Sequence, residues 1–128
     1  MALANLKRLS LGHEPAAGLC FYRPDWHQGV VGIVASRIKE KSHRPVIAFA
    51  PAGDGELKGS GRSIPGFHLR DALDAIATRH PGLLLKFGGH AMAAGLSLLQ
   101  ADYDRFREAF DQEVRRTLGE AIIEQVVM

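Results

Sequence analysis

Two glycine-rich segments, about thirty residues apart, constrain this chain most: Lys58-Gly59-Ser60-Gly61-Arg62-Ser63 and Gly88-Gly89-His90-Ala91-Met92-Ala93-Ala94-Gly95. Glycine at this density lets the backbone take positive φ and lets main-chain N–H groups approach a ligand closely. It also marks hairpins and bulges. Neither segment fits a P-loop or a dinucleotide fingerprint, because the lysine and the helix context are wrong. The serine, arginine and histidine among the glycines add a hydroxyl, a guanidinium and an imidazole, a set suited to an anionic oxygen and above all to a phosphate. Two such segments in one small chain point to an anion site.

A chain of 128 residues, 46% hydrophobic and 23% charged, is one globular domain with enough apolar material for a core. The single cysteine, Cys20, lies in an apolar stretch and reads as a small core residue. No internal disulfide is open to it, which fits a reducing, cytoplasmic setting. No apolar run approaches the ~18 residues of a membrane span, and nothing at the N-terminus reads as a signal peptide. The net charge of +2 is unevenly spread. Residues 23–90 carry ten Lys or Arg against six Asp or Glu, whereas residues 91–128 carry four against seven. The basic part holds both glycine segments, which suggests nucleic acid or a nucleotide as partner. Random scatter of surface charge is the plainer alternative.

Hydrophobic periodicity gives an alternating α/β order. Residues 2–10 read as the end of a longer helix stopped at Gly12, and residues 16–22 as a buried strand. A helix over about 29–41 should bury Val30, Val31, Val34, Ala35 and Ile38. The run at 45–50 predicts a central strand covered on both faces. A turn at 51–55 and a returning strand at 56–63 make an antiparallel hairpin. A helix over about 68–79 should bury Leu69, Ala72, Leu73 and Ile76, and Pro81-Gly82 ends it. Residues 83–87 fit no single state, and residues 93–99 read as a strand. Asp102 is a candidate N-cap for a last helix to 118, with Tyr103, Phe106, Phe110, Val114 and Leu118 on its apolar face. The tail, Ala121 to Met128, is very apolar for a free end, and both termini read as cut surfaces of a larger protein.

Strand alternation puts Lys58, Ser60 and Arg62 on one face, a plausible ladder for a phosphodiester backbone. The alternative is an exposed edge strand whose charges deter further pairing. His90 suits a ligand contact, an acid–base role or a metal; alternatively it fixes its own loop through a carbonyl. Trp26 and His27 precede a helix N-terminus open to an anion. Trp26 is suited either to stacking on a base or to anchoring the core. Six scattered histidines, no cysteine pair and no carboxylate cluster give no metal-ligand spacing, so no metal ligand is expected in this chain.

Taken in order, Pro24-Asp25-Trp26-His27-Gln28-Gly29-Val30-Val31-Gly32-Ile33-Val34-Ala35-Ser36-Arg37 and the two glycine segments resemble the DHH-associated domain of the RecJ exonucleases. These act on single-stranded DNA in the 5′→3′ direction and belong to the DHH phosphoesterases. The resemblance covers about residues 16–110. It implies an α/β fold, a mixed β-sheet of about four to five strands flanked by helices. It implies that residues 1–12 end an interdomain linker helix, 13–119 form the DHH-associated substrate-binding domain, and 120–128 begin a following OB-fold region. Carried over by motif, Ser60 and Arg62 would bind the 5′-terminal phosphate. Gly88, Gly89 and His90 would meet the terminal nucleotide, with His90 a candidate assistant at the scissile phosphate. Trp26, His27, Arg37, Lys58 and Ser63 complete the expected DNA-facing set. The parent enzyme would hold Mn²⁺ or Mg²⁺ in a DHH catalytic domain absent from this chain, leaving the fragment inactive alone. Expected partners are single-stranded DNA and the DHH and OB-fold domains of the same parent, with no membrane, in repair and recombination in the bacterial cytoplasm. The alternative is a non-catalytic nucleic-acid or nucleotide module of another DHH-family phosphoesterase.

Overall fold

The apolar run at 45–50 becomes the middle of the molecule. In the computed structural model, which describes residues 17–118, it forms most of strand β2 (Val46–Gly53), and residues 46–50 are fully buried. Val46, Ala48 and Ala50 face one way, packing with Val31 and Ala35 of helix α1 (Val31–Ser42). Ile47 and Phe49 face the other way, into the main core. Both faces of β2 are therefore covered, as the unbroken apolar run requires.

Strand β1 (Leu19–Tyr22) pairs parallel to β2, and α1 is the crossover between them. Strand β3 (Glu56–Arg62) returns antiparallel. The hairpin is tighter than the sequence predicted. Asp54 and Gly55 both take positive φ, at 53° and 74°, and make the two-residue connection whose twist suits neighbouring strands. Residues 51–53 are thereby freed to extend β2, with an irregularity between Pro51 and Gly53. The stretch 83–87, which fits no single state in the sequence, runs into strand β4 (Lys86–Gly89), which pairs only with β5 (Ala93–Leu99). The sheet is mixed, in the order β1-β2-β3-β5-β4.

Helices α2 (Leu69–Arg79) and α3 (Tyr103–Leu118) pack on one side of this sheet. The four α2 residues expected inside are buried, as are Phe106, Phe110 and Val114 of α3. Phe49 meets Tyr103 and Phe106 edge-on, at centroid distances of 5.5 and 5.8 Å. Asp111 on α3 accepts the N–H groups of Ala17 (2.6 Å) and Gly18 (3.1 Å) and so fixes the start of β1. Two details differ from expectation. Val30 is 40% exposed because it is the N-cap residue rather than part of the buried stripe. Asp102 is not an N-cap: a 3₁₀ turn, Gln100–Asp102, leads into α3. Gln100 N–H still bonds Gly55 O at 2.8 Å, which carries the β3–β5 pairing into the start of that turn. The expectations for residues 1–16 and 119–128 lie outside the described residues. No helix among the described residues is long and apolar enough to cross a membrane.

On the side opposite α2 and α3, α1 packs on β2 and β3. It does not extend over β5 and β4, and that asymmetry positions the site.

Candidate nucleic-acid interface

The alternation of β3 is set by its glycines. A Cβ on Gly59 would lie 2.6 Å from Phe49, and one on Gly61 2.8 Å from Leu69. Both positions therefore face the core, and Lys58, Ser60 and Arg62 face the α1 side. The register carries the pattern outward in rows. Ser60 pairs with Gly95, which pairs with Gly88. Arg62 pairs with Ala93, whose carbonyl accepts the N–H of His90 at 2.7 Å. Lys58 pairs with Ser97, which pairs with Lys86. Two strand spacings of ~4.8 Å put Arg62 and His90 roughly 10 Å apart across the sheet. Beyond Ser60, the row between the lysines and Arg62–His90 is bare: nothing lies within 4 Å of a Cβ built on Gly88, and the Gly95 position meets only a backbone oxygen at 3.5 Å.

Helix α1 forms a wall beside this floor. A hollow of about 530 Å³ runs along it, lined by Gly32, Ile33, Ser36, Arg37, Glu40, Lys41 and Arg62. Arg62 Nη1 donates to Gly61 O at 2.8 Å, which leaves the other guanidinium N–H groups for a ligand. The His90 loop is held firmly. Its Ala91 carbonyl accepts from Leu69 N–H (2.8 Å) and its Met92 carbonyl from Ser63 N–H (2.9 Å). Gly89 has φ 138°, and a Cβ there would sit 2.4 Å from Ala94 Cα, so only glycine fits.

Charge is divided between the two sides. Arg79 and Arg116 bond Glu113, Arg115 bonds Asp111, and Arg105 pairs with Asp102. On the α1 side, Arg37, Lys41, Lys58, Arg62 and Lys86 have no carboxylate partner among the described residues, although Glu40 lines the same hollow. Uncompensated cations around an open floor make a surface for a polyanion.

The structure thus brings together Arg37, Lys58, Ser60, Arg62, Gly88 and His90, with Gly89 shaping the loop. It places Trp26 and His27 elsewhere, in a separate hollow with Pro24, Gln28, Gly29 and Pro51. Trp26 is half-buried against the α1–β2 apolar cluster, while His27 is exposed. Ser63 faces inward: it is fully buried and its hydroxyl donates to Phe67 O at 2.7 Å. Sequence reasoning did not single out Lys41 or Lys86, nor, within the motifs it quoted, Gly32, Ser36 and Gly95. Gly32 carried a signal, since glycine is a poor choice in a helix unless something packs there.

A domain of this architecture, a half-covered mixed sheet with a cationic floor and a locked Gly-Gly-His loop, has a family. Residues 12–116 match the DHHA1 domain, and the chain belongs to that family. Over 110 residues it is 67% identical to the single-stranded-DNA-specific exonuclease RecJ of Dickeya dadantii, covering 86% of this chain and 19% of the relative. It is 60% identical to RecJ of Escherichia coli, covering 87% and 19%. Among solved structures it is similar to RecJ of Thermus thermophilus in complex with Mg²⁺, with a TM-score of 0.68 and 35% identity, covering 89% of this chain and 17% of that one. The chain spans about a fifth of the length of the two curated relatives.

Proposed function

We propose that this chain is the substrate-binding part of a RecJ-type exonuclease, which degrades single-stranded DNA from its 5′ end in bacterial repair and recombination. Ser60 and Arg62 hold the 5′-terminal phosphate, the bare Gly95–Gly88 stretch beyond Ser60 leaves room for the terminal nucleotide, and His90 donates to the next phosphate. Arg37 and Lys41 carry the backbone along α1. The observation that carries this reading is the register, which sets Ser60 and Arg62 in line with Gly88 and His90 on the uncovered half of the sheet. Holding one strand end in a fixed attitude is positioning work, which lowers the barrier before any bond breaks.

Among the described residues no three His, Cys, Asp or Glu side chains gather in a metal-binding group. These residues do not fit as a ligand set for Mg²⁺ or Mn²⁺. In this reading the ions belong to a DHH domain of the same parent chain, and the groups described here bind and orient the strand.

The test is Arg62→Ala in the full-length parent enzyme. Loss of a charge-assisted phosphate contact, at ~1.5–3 kcal/mol, should lower kcat/KM on 5′-phosphorylated strands roughly tenfold to a hundredfold. Strands with a 5′-hydroxyl should be affected much less. Equal slowing of both ends would show that Arg62 does not read the terminus.

A further inference from the structure

Gly32 stands in the first turn of α1, directly against the arginine of β3. A Cβ built there would lie 2.8 Å from Arg62 Nη2, 3.6 Å from Arg62 Cζ and 4.0 Å from Ser60 Cβ. The guanidinium is thus confined on two sides. The helix stands against Nη2, and Nη1 bonds Gly61 O at 2.8 Å. An arginine side chain has many rotamers, and a two-pronged contact with a phosphate needs one of them. We propose that the absent side chain of Gly32 is the seat of the Arg62 guanidinium, and that Gly32 is a specificity-determining, positioning residue for the terminal phosphate. This rests on the reading of Arg62 as the group that meets that phosphate.

The physical consequence is a separation of stability from recognition. The crowded atom is the far end of a flexible side chain, so Gly32→Ala can be absorbed by moving Arg62 rather than the helix. Alanine also suits a helix better than glycine. Ordinary contact begins near 3.4 Å, so Nη2 must withdraw from its 2.8 Å position by over half an ångström. A displacement of this size spoils fork geometry, and misplacements near 1 Å can cost about a hundredfold in rate.

The experiment compares wild type, Gly32→Ala, Arg62→Ala and the double variant in the full-length enzyme. It reads KM and kcat on 5′-phosphorylated and 5′-hydroxyl strands, together with Tm. Gly32→Ala should keep or raise Tm and should cut the preference for 5′-phosphate about three- to thirtyfold, mainly through KM. It should do no further harm once Arg62 is alanine, because it acts through that side chain. If Arg62→Ala abolishes the preference while Gly32→Ala leaves it whole, the seat is overturned and the phosphate reading stands. If Arg62→Ala leaves the preference unchanged, the phosphate reading itself falls. A Gly32→Ala enzyme that does not fold also overturns the proposal, since the helix backbone and not the arginine would then need the space.

Discussion

At the scale of single residues, glycine does opposite work at neighbouring places in the sheet. Gly59 and Gly61 are small because the core leaves no room, with Phe49, Ile47 and Leu69 filling the space a side chain would take. Gly88 is small where nothing competes for space. The first segment's glycines therefore serve packing, and its ligand-facing chemistry lies in the residues between them. Gly59→Ala should cost ~1–3 kcal/mol, as overpacked cores do, and lower Tm by several degrees. Gly88→Ala should change stability by no more than ~0.5 kcal/mol, as open surface positions do. Thermal unfolding of the two variants checks this, and the reverse order would contradict the assignment of faces. Ser63 follows the same logic. Its buried hydroxyl satisfies Phe67 O, so Ser63→Ala should destabilise by ~1–3 kcal/mol through an unpaired carbonyl. A Tm unchanged from wild type would refute that.

At the scale of elements, α1 has two working faces. Val31 and Ala35 bury it on the sheet, and Ser36, Arg37 and Lys41 line the hollow that ends at Arg62. Removing a phosphate contact lowers the salt slope of binding by about one per contact. Arg37→Ala and Lys41→Ala should each flatten the plot of log affinity for single-stranded DNA against log salt. Arg105→Ala, whose arginine pairs with Asp102 at 3.5 Å away from this hollow, should not. Equal slopes for all three variants would remove α1 from the DNA path. The helices and β2 were legible in the sequence because their apolar residues repeat at the period of the element that buries them. Lys58, Ser60 and Arg62 were legible because strand alternation alone fixes a common face. Three things were not. Strand β4 pairs on one side only and carries little apolar pattern, so its four residues gave no period. The inward turn of Ser63 depends on a carbonyl four residues ahead. The contact of Gly32 with Arg62 joins residues thirty positions apart, so a glycine in a helix signals a close neighbour without saying which residue it is.

At the scale of the whole molecule, the two sides of the sheet differ in charge, and the α3 side holds buried groups that tie stability to alkaline pH. Tyr103 stands between Tyr22 and Phe49, and its phenol is pushed up to about 12, first by burial and then by neighbouring Cys20. Burial also pushes the Cys20 thiol up. An unfolded tyrosine ionises near 10, so the unfolded chain loses its proton first as the solution turns alkaline. The stability linked to Tyr103 is complete below about pH 10 and is lost as pH climbs from there through about 12. Tyr103→Phe should flatten that alkaline limb without removing it, since Cys20 acts in the same direction. Urea midpoints at about pH 9 and 11.5 test this, and identical losses in wild type and variant would clear Tyr103 of the effect.

The clasp of Asp111 on the N–H groups of Ala17 and Gly18 also has a mechanical meaning. It ties the start of β1 to a point on α3 seven residues before that helix ends at Leu118, a span of roughly 10 Å at 1.5 Å per residue. Tension applied to the backbone on either side of the domain is borne first by those two hydrogen bonds and the last two turns of α3. The clasp lies on the α3 side of the sheet, the face opposite the row that carries Ser60 and Arg62.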